Sequence, residues 1–564
     1  MIPEILQGAF VGEHREGPYP GTLAFSEVGA NFAQPLDAEI VPRLIPALDE
    51  LEAPACSERV ILETAKTLGI PIGNPVWEGR ADIARLLLNG RDTVALDVGC
   101  GFGTFATAVA RSAGHVLATD RSPVRVALTA ARARAEGLEN VTAFETNGVR
   151  LPLRDELCDL VTIIGVLEWA GVGTGDAPAA QRAMLAEVRR VLKPGGVLLL
   201  GIENRYAAHY FLGAREDHTD LRFSALLPRR LAQLQSRRAR GVPFETPTHS
   251  RAALKQLLAE AGLTPRIAAV LPSYQQARFA FDEADARAGL GFYVRHAFHA
   301  SSLPRRLAGR VLLHAPAGWV VGVLPSFWAI AAKDAPAPHV PGVITGSPFC
   351  DGAIKAIDWR AGRVTATGRL TGEQERSETL VDGWNARRWI AWPLRSGART
   401  ARRVRLLAEI ERQLRSALLD ASEAGAPVCR EHGDLILNNM VVGSGGRMTL
   451  VDRPAQEAKA PVGRDATIAV LDLLCVRAGV KQLDLATGLA QLECVEGAEG
   501  AAIRRLLEAA LPGLPVGRME ELMLAGVERH CADHGEICGA PAFRAGVADG
   551  RLARALSGLG VAGA

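Results

Sequence analysis

The chain carries almost no net charge and few lysines. Its 64 lysine and arginine residues are balanced by 62 aspartates and glutamates, which leaves a formal net charge of +2 over 564 residues. Non-specific binding of nucleic acid needs a concentrated basic face, so a nucleic-acid partner is not expected. The chain has only seven lysines, and arginine supplies the rest of the positive charge.

Cysteine pairs and long unbroken apolar runs are also missing. The nine cysteines include no CxxC pair, and no signal peptide is evident, which together predict reduced thiols in a cytoplasmic protein. The stretch 311–332 is long enough to span a bilayer, but prolines and glycines interrupt it. A buried helix followed by a strand fits this stretch better than a transmembrane span, and a peripheral membrane contact stays open.

A folded composition and a repeated strand pattern are present. The chain has 48% apolar and 22% charged residues, and its length suggests roughly two to four domains. Short apolar runs alternate with helical stretches, at residues 94–99, 116–120, 141–145, 160–165 and 197–203. Continuous apolar strands between helices predict a parallel sheet covered on both faces. A ligand of such a sheet lies at the carboxyl ends of the strands.

A glycine-rich turn follows the first of these strands. It reads DVGCGFG from Asp97 to Gly103, and its alternate glycines let the backbone approach a ligand closely and turn into a helix. Dinucleotide-binding proteins use similar loops, but here the spacing is DxGxGxG rather than GxGxxG. Asp120 ends the second strand 23 positions after Asp97, where it can accept both ribose hydroxyls. The run VLKPGGVLLL (191–200) then supplies a helix end, a turn and a fifth strand.

Together these features resemble the class I S-adenosylmethionine-dependent methyltransferases, over roughly residues 75–335. The resemblance implies a seven-stranded Rossmann-like sheet and S-adenosyl-L-methionine as the methyl donor. It also implies that the glycine turn lies against the methionine part of the donor, that Asp120 binds the ribose, and that Asn147, in place of the usual acid, pairs with adenine. The residues implied to bind the donor are Asp97, Gly99, Gly101, Gly103, Asp120, Asn147, Gly148 and Ile164.

Three phrases resemble a methyltransferase subgroup that is associated with bacterial surface-glycan biosynthesis. They are GVLEWAG (165–171), IENRYAAHYFLGAREDH (202–218) and HSRAALKQLLAEAGL (249–263). The resemblance implies a hydroxyl of a glycan or related small molecule as the acceptor, and glycan-assembly proteins as partners. A hydroxyl acceptor benefits from a base. Glu168 and His218 are the preferred catalytic residues, and the further candidates for the base are His209 and Asp217.

A second motif follows the proline-rich linker DAPAPHVPG (334–342). In HGDLILNN, Asp434 is followed five places later by Asn439, and Asp452 stands thirteen places further, after two apolar strands joined by turn glycines. In phosphoryl transfer, one carboxylate orients the attacking hydroxyl, while an amide and a second carboxylate hold magnesium on the phosphates. The spacing resembles the aminoglycoside phosphotransferase and choline kinase superfamily. It implies Asp434 as base, Asn439 and Asp452 as metal ligands, and Mg²⁺ and ATP as further cofactors.

The amino-terminal lobe of such a kinase is reduced in this sequence. About forty residues separate the linker from LVDGWN (380–385), which resembles the hinge between kinase lobes. This is too few for a five-stranded lobe with its helix, and Lys355 is the only lysine there on a plausible strand. Two alternatives stay open. The chain is a bifunctional methyltransferase and kinase that modifies a polysaccharide end, or its kinase-like domain is non-catalytic and docks the acceptor or serves as a scaffold.

These patterns predict three parts of the chain. Residues 1–75 form a helical extension that covers the donor site, and residues 76–335 form the methyltransferase domain. An insertion at 273–325 shapes the acceptor pocket. Residues 336–564 form a reduced kinase-like domain. The predicted fold class is α/β, with a seven-stranded Rossmann-like methyltransferase sheet followed by a protein-kinase-like α+β domain.

Overall fold

The alternating apolar runs of the sequence form strands in the computed structural model, and the stretches between them form helices. The structure describes residues 8–11, 14–16, 22–25, 41–51, 57–67, 77–88, 90, 92–298, 302–345, 353–369, 374–393, 395–419, 428–430, 434–443, 447–451, 459–461, 463–534 and 537–561. The strands are β1 (His14–Glu16), β2 (Thr22–Phe25), β3 (Val94–Val98), β4 (His115–Asp120), β5 (Val141–Glu145), β6 (Cys158–Ile164), β7 (Leu192–Glu203), β8 (Leu263–Leu271), β9 (Phe279–Asp282), β10 (Ser326–Lys333), β11 (Gly342–Thr345), β12 (Ala353–Asp358), β13 (Arg363–Gly368), β14 (Gln374–Thr379), β15 (Trp384–Asn385), β16 (Leu418–Leu419), β17 (Val428–Arg430), β18 (Met440–Val442), β19 (Met448–Leu450) and β20 (Lys459–Pro461). The helices are α1 (Val41–Asp49), α2 (Ser57–Thr67), α3 (Asp82–Leu86), α4 (Thr104–Ala110), α5 (Pro123–Ala135), α6 (Ala177–Val191), α7 (Ala208–Phe211), α8 (Arg229–Arg240), α9 (Arg251–Glu260), α10 (Ala286–His296), α11 (Leu303–His314), α12 (Ala317–Gly322), α13 (Ala386–Ala391), α14 (Ser396–Ala417), α15 (Gly463–Arg477), α16 (Leu485–Leu492), α17 (Gly497–Ala510), α18 (Val516–His534), α19 (Ala540–Ala548) and α20 (Arg551–Gly558).

The chain divides into two units, and each is discontinuous in sequence. The first unit consists of Met1–Gly289 and Pro316–Leu380, and the second of Leu290–Ala315 and Val381–Ala564. The chain therefore passes between the units three times. This division differs from the predicted boundary after residue 335.

One sheet forms the framework of the first unit. Its strand order is β1-β2-β5-β4-β3-β6-β7-β10-β8-β9-β11-β12-β13-β14. The strands β5, β4, β3, β6 and β7 run parallel, whereas β10 pairs antiparallel with both β7 and β8. The predicted α/β sheet is present as the seven strands from β5 to β8. Strand order reverses beside β3, so the carboxyl ends of β3 and β6 border the crevice where such sheets bind ligands.

Further strands extend this sheet on both sides. The antiparallel pair β1 and β2 lies beside β5. On the other side, β9 pairs with β8 and β11, and β12, β13 and β14 follow in antiparallel order. Residues 342–379 were assigned to the kinase-like domain, but their strands continue the sheet of the first unit. The proline-rich linker does not end that unit, because His339 Nε2 lies 2.7 Å from Asp285 Oδ2 and Val340 is buried.

A buried arginine ties the amino-terminal helices to the glycine turn. Helices α1 and α2 pack against α5 through an apolar cluster that includes Leu44, Ile61 and Leu128. On α5, Arg132 is fully buried. Its Nε donates to Ser57 Oγ at 2.8 Å, and its Nη1 donates to the carbonyl oxygen of residue 102 at 3.0 Å.

The second unit is α+β and mostly helical. Its core lies between α14, α15, α17 and α18, and the side chains of Leu407, Leu471, Leu506 and Met523 are fully buried there. Two small sheets accompany the helices, β15-β18-β19 and β16-β17-β20. These helices and small sheets do not distinguish a kinase-like fold from other α+β folds, so the kinase-like fold stays a prediction.

The apolar stretch 311–332 does not form one long helix. Helix α11 ends at His314, α12 covers Ala317–Gly322, and β10 begins at Ser326. The strand was predicted, and the helix before it is broken at Pro316. Every helix in the described part of the chain is too short or too polar to cross a membrane.

Candidate functional site

The glycine turn adopts backbone conformations that side chains rarely allow. Gly99, Gly101 and Gly103 have φ angles of 78°, 55° and 76°, in the left-handed region that glycine enters without steric cost. A Cβ atom at Gly99 would also collide with the side chain of Val166. The turn therefore brings bare backbone to the carboxyl end of β3 and leads directly into α4.

Two aspartates fix this turn from adjacent strands. Asp97 Oδ1 accepts a hydrogen bond from Thr162 Oγ1 at 2.7 Å, and its Oδ2 is buried with no hydrogen bond among the described residues. Asp120 Oδ2 accepts from the backbone N–H of Gly101, and its Oδ1 accepts from that of Ser122, both at 3.0 Å. Burial, partly offset by the bond from Thr162, raises the pKa of Asp97 to about 6. A ligand with a cationic amino group would satisfy the open oxygen of Asp97.

The side-chain oxygen of Asn147 is bonded within its own loop. This oxygen accepts from the backbone N–H groups of Val149 and Arg150, at 3.0 and 3.1 Å. The oxygen thus stabilises the loop after β5. The predicted pairing with an adenine edge would use the amide nitrogen of Asn147, which is a donor.

These residues line one cavity of about 450 Å³, within the usual size range of small-molecule sites. The structure brings together all but one of the predicted donor residues with both predicted catalytic residues. Those that line the cavity are Asp97, Gly99, Gly101, Asp120, Asn147, Gly148, Ile164, Glu168 and His218. Gly103 does not line it, because Gly103 packs against Thr129 and precedes the first residue of α4.

Glu168 is a buried carboxylate without hydrogen bonds. It lies in the 3₁₀ turn Leu167–Trp169 after β6, its side chain is 1% exposed, and neither oxygen has a hydrogen-bond partner among the described residues. His218 Nε2 lies 3.9 Å from Glu168 Oε1, and His218 Nδ1 lies 2.9 Å from Glu216 Oε1. The contact with Glu216 orients the imidazole, whose other nitrogen lies on the side of Glu168.

Burial and neighbouring charges shift the proton affinities of this group. Burial first, and then the charge of Glu203, raises the pKa of Glu168 to about 8. Burial alone would lower the pKa of His218, but the hydrogen bond to Glu216 and the charges of Glu203 and Glu168 raise it to about 9. These effects move the pKa of Glu168 towards neutral pH and that of His218 above it.

The other two candidates for the base differ in position. Asp217 lines the cavity, and its Oδ2 accepts a hydrogen bond from Tyr210 at 2.9 Å. His209 does not line it and lies against the ring of Tyr210. Glu168 and His218 therefore remain the preferred pair.

Sequence reasoning missed further residues of the cavity, among them Arg80, Glu203 and Tyr274. Glu203 ends β7, and its Oε1 accepts from the hydroxyl of Tyr274 at 2.7 Å. Arg80 comes from the 3₁₀ turn Glu78–Ala81 and lies over the ring of Phe105. Glu203 could have been predicted from the sequence, because it ends a predicted strand at the ligand-binding edge of the sheet. Arg80 and Tyr274 come from segments that follow no recognisable motif.

The predicted lid and insertion contribute little to this cavity. None of the described residues in 1–75 lines it, and from the predicted insertion at 273–325 only Tyr274 and Gln275 do. Residues 290–315 of that insertion belong to the second unit. Their contribution to an acceptor pocket therefore stays a prediction.

Glu168, Glu203 and His218 are close enough to share a cation. Their ligand atoms all lie within 4.8 Å of one another. Glu203 is already held by Tyr274, however, and His218 by Glu216. The raised pKa of His218 also opposes ligation, since a metal takes the neutral ring. The cluster therefore fits proton sharing better than metal binding.

In the second unit, hydrogen bonds join Asp434 to Asn439 in a tight turn. Asn439 Nδ2 donates to Asp434 Oδ2 at 2.8 Å and to the backbone oxygen of Asp434 at 2.9 Å. Strands β18 and β19 then pair antiparallel, and the N–H of Val451 donates to the backbone oxygen of Asn439 at 2.9 Å. The predicted strand–turn–strand therefore returns the chain to Asn439.

The other parts of the predicted phosphotransferase site lie outside the described residues or in the first unit. Asp452, the second predicted metal ligand, lies outside the described residues. Lys355 lies on β12, in the first unit, whereas Asp434 and Asn439 lie in the second. His530 of α18, which the motif does not include, places Nε2 3.6 Å from Asp434 Oδ1.

Comparison with known proteins identifies the central part of the first unit. Residues 96–200 match the family model of a methyltransferase domain. The demethylmenaquinone methyltransferase of Geobacillus stearothermophilus is 32% identical over 121 residues, which are 21% of this chain and 48% of that protein. The chain thus spans about half the length of the curated relatives it matches. It carries a methyltransferase domain of the S-adenosylmethionine-dependent class.

Solved structures are also similar to part of the chain. A SAM-dependent methyltransferase from Aquifex aeolicus is 17% identical with a TM-score of 0.25, over 36% of this chain and 88% of that one. The YcgJ protein from Bacillus subtilis is 17% identical with a TM-score of 0.26, over 45% of this chain and 98% of that one.

Proposed function

We propose that the protein transfers a methyl group from S-adenosyl-L-methionine to a hydroxyl of a glycan or related small molecule. One observation carries this proposal. The cavity that holds the glycine turn also holds Glu168, a buried carboxylate with a raised pKa and no hydrogen bonds among the described residues. A methyltransferase that acts on a hydroxyl needs such a proton acceptor beside the donor.

The residues present fit the donor. Asp97 Oδ2 is a buried acceptor that suits the amino group of the methionine part. The turn at Gly99 and Gly101 leaves room for backbone to approach that part, and Asp120 lies at the end of β4, where a ribose fits. When bound, the donor supplies a methyl group on a positively charged sulfur.

The side chains of the cavity handle the proton of the reaction. As the acceptor oxygen bonds to the methyl carbon, the bond from that carbon to sulfur breaks, and S-adenosylhomocysteine leaves uncharged. Glu168 takes the hydroxyl proton, and His218 lies beside Glu168 and stabilises its carboxylate before the transfer. Displacement of this kind depends mainly on alignment and on exclusion of water.

Donor binding is tested by calorimetry with S-adenosyl-L-methionine. We expect Asp97→Asn to weaken binding about tenfold or more, because the charge that faces the amino group is lost. Asp92→Asn is the matched control, since Asp92 is exposed just before β3, and it should bind as the parent does. Unchanged affinity in Asp97→Asn would show that the donor site is misassigned.

Methyl transfer is tested by following S-adenosylhomocysteine release with a panel of acceptors. Methyl glycosides and oligosaccharides represent the proposed acceptor class. Demethylmenaquinone represents the class named in the curated relatives. Glu168→Gln should lower turnover about 10²-fold or more, the usual range for general-base catalysis, while donor affinity stays unchanged. EDTA should leave the rate unaltered, and turnover with demethylmenaquinone alone would refute the glycan assignment.

For the second unit we propose a kinase-like domain around Asp434, Asn439 and Asp452. The hydrogen bonds that join Asn439 to Asp434 and Val451 to Asn439 favour it. An active phosphotransferase predicts saturable binding of magnesium–ATP that Asp452→Ala abolishes, and acceptor-dependent ATP consumption that Asp434→Ala removes. A docking or scaffold domain predicts neither, and instead binds the acceptor or glycan-assembly proteins.

A further inference from the structure

The second unit contains a cavity of about 280 Å³ that neither Asp434 nor Asn439 lines. Helix α13 contributes Arg387 and Arg388 to its wall, and α14 contributes Arg399 and Arg403. The remaining basic residues that line it are Arg306, Arg477 and Lys481. Among the described residues that line this cavity, none is acidic, so seven cationic side chains surround one small space.

Two of these arginines are held by carboxylates that lie outside the lining. Arg387 pairs with Asp472, and its Nη1 donates to the backbone oxygen of Val480 at 2.8 Å. Arg403 forms a bidentate pair with Glu499, at 2.6 and 3.0 Å. These contacts set the positions of two guanidinium groups, and they add no negative charge to the cavity itself.

The other cations are crowded together. Arg477 Nη1 is buried and has no hydrogen-bond partner among the described residues. Burial first, and then the charge of Arg387, lowers the pKa of Arg388 to about 10. Burial and the charge of Arg399 likewise lower the pKa of Arg306. Like charges this close repel one another, and a bound anion would reduce that repulsion.

We propose that this cavity binds a phosphate ester with at least two negative charges, such as a diphosphate group. Guanidinium groups match the geometry of phosphate oxygens with paired hydrogen bonds, and their charge persists at all physiological pH values. The small volume favours a compact group over a whole nucleotide. The site lies within the second unit and uses neither the methyl-donor cavity nor Asp434, so it is independent of the functions proposed above.

The test is a calorimetric titration of the full chain with inorganic pyrophosphate, in buffer that contains EDTA. EDTA removes the magnesium that binding at the HGD motif requires. The heat measured in the titration therefore comes from pyrophosphate that binds in the arginine cavity. We expect saturable binding to one site, which Arg477→Gln weakens about tenfold or more because it removes a charged donor pair. Arg405→Gln is the matched control, since Arg405 is exposed on α14 and does not line the cavity.

Two further variants keep the outcome clear. Lys481→Gln changes an exposed side chain, so it should fold normally and also weaken pyrophosphate binding severalfold. Asp434→Asn removes a negative charge and should not weaken pyrophosphate binding, and binding lost in that variant would show that Asp434 takes part and would overturn the proposal. Absence of saturable binding, equal affinity for sulfate, or unchanged affinity in both Arg477→Gln and Lys481→Gln would overturn the proposal. Retained S-adenosyl-L-methionine binding shows that each variant is folded.

Discussion

At the scale of single residues, the ionisation of Glu168 determines when the cavity can take up a proton. A carboxyl with its ordinary pKa would be ionised over the whole physiological range. Burial and the charge of Glu203 raise the pKa of Glu168 to about 8, so much of the protein holds this group protonated at neutral pH. A protonated Glu168 cannot accept the hydroxyl proton, and turnover should depend on pH.

The first prediction concerns this pH dependence. Turnover at saturating substrates should rise with pH through about 8, because Glu168 must lose its proton first. It should fall again above about 9, where His218 loses the charge that stabilises the carboxylate. Glu203→Gln removes a neighbouring negative charge, so the midpoint of the rise should move to lower pH by about one unit. The pH–rate profiles of the parent and the variant measure this. Glu139→Gln, an exposed change, serves as control, and an unmoved midpoint in Glu203→Gln would contradict the assignment.

The second prediction concerns the glycine turn. Gly99 and Gly173 have nearly equal positive φ angles, 78° and 79°. A Cβ at Gly99 meets Val166, whereas a Cβ at Gly173 meets nothing within 4 Å. Gly173→Ala should therefore cost only the backbone strain of about 1–2 kcal/mol. Gly99→Ala should cost more and should also abolish donor binding, as urea unfolding and calorimetry would show. Equal effects of the two changes would rule out the close approach at Gly99.

At the scale of elements, α5 links the amino-terminal helices to the donor site through Arg132. Its Nη2 lies 3.8 Å from both Glu58 and Glu78, and its Nε lies 2.9 Å from Glu136. All four side chains are almost fully buried. A buried network of this kind is costly to break, since a lone charge would remain without its partner.

The third prediction tests this network. Arg132→Leu should lower the free energy of unfolding by about 3–5 kcal/mol, because three buried glutamates lose a shared partner. It should also weaken donor binding, because Arg132 holds the carbonyl oxygen of residue 102 in the glycine turn. Arg134→Leu, on the same helix but in an exposed pair with Asp49, should cost ~1 kcal/mol or less. Similar losses in urea denaturation of both variants would argue against a structural role for Arg132.

The central strands could be predicted from sequence because most of their residues are buried on both faces. The run at 141–145 matches β5 in full, the run at 94–99 matches β3 to within one residue, and the strand expected at the end of 311–332 is β10. The strands from β11 to β14 were assigned to the kinase-like domain, although they pair into the sheet of the first unit. The strands from β11 to β14 pair with their neighbours in the sequence, but the sheet they join is set by the pairing of β11 with β9. No local sequence pattern predicts that pairing, because β9 and β11 are distant in the sequence.

The site could be predicted where a motif fixes the backbone. Asp97 and the glycines follow a strand, and Asp120 ends the next one, so the topology of the sheet brings them together. The hydrogen bonds of Asn147 to its own loop and of Tyr274 to Glu203 could not be predicted. The bonds of Asn147 depend on its side-chain rotamer, and the bond of Tyr274 depends on a segment that is distant in the sequence. Neither produces a recognisable spacing of residues.

At the scale of the whole molecule, the extra strands of the first unit are held by a buried ion pair. Arg369 follows β13 and donates to both carboxylate oxygens of Asp82, at 2.7 and 2.8 Å. Thr345, at the end of β11, donates to the same carboxylate at 2.9 Å. Residues after the proline-rich linker therefore complete the environment of Asp82, which precedes the methyl-donor motif by only fifteen positions.

The fourth prediction follows from this ion pair. A chain that ends at residue 335 leaves Asp82 buried without Arg369 and should lose about 3 kcal/mol or more of stability. A chain that ends at residue 380 keeps the pair and should retain donor binding. Arg369→Leu in the full chain should reproduce most of the loss seen at 335. Urea unfolding with S-adenosyl-L-methionine calorimetry would check this, and a stable, donor-binding chain of 335 residues would contradict it.

The interleaving of the two units has an evolutionary consequence. The segment Leu290–Ala315 belongs to the second unit, yet it lies inside the sequence of the first. Joining two complete genes end to end would not produce this order. Recombination at a single point between this segment and Val381–Ala564 would separate Leu290–Ala315 from the rest of the second unit, so the second unit would be transferred incomplete. The two units are therefore expected to be inherited together, and homologues of the second unit that occur alone should lack a counterpart of this segment or carry it at their own amino terminus.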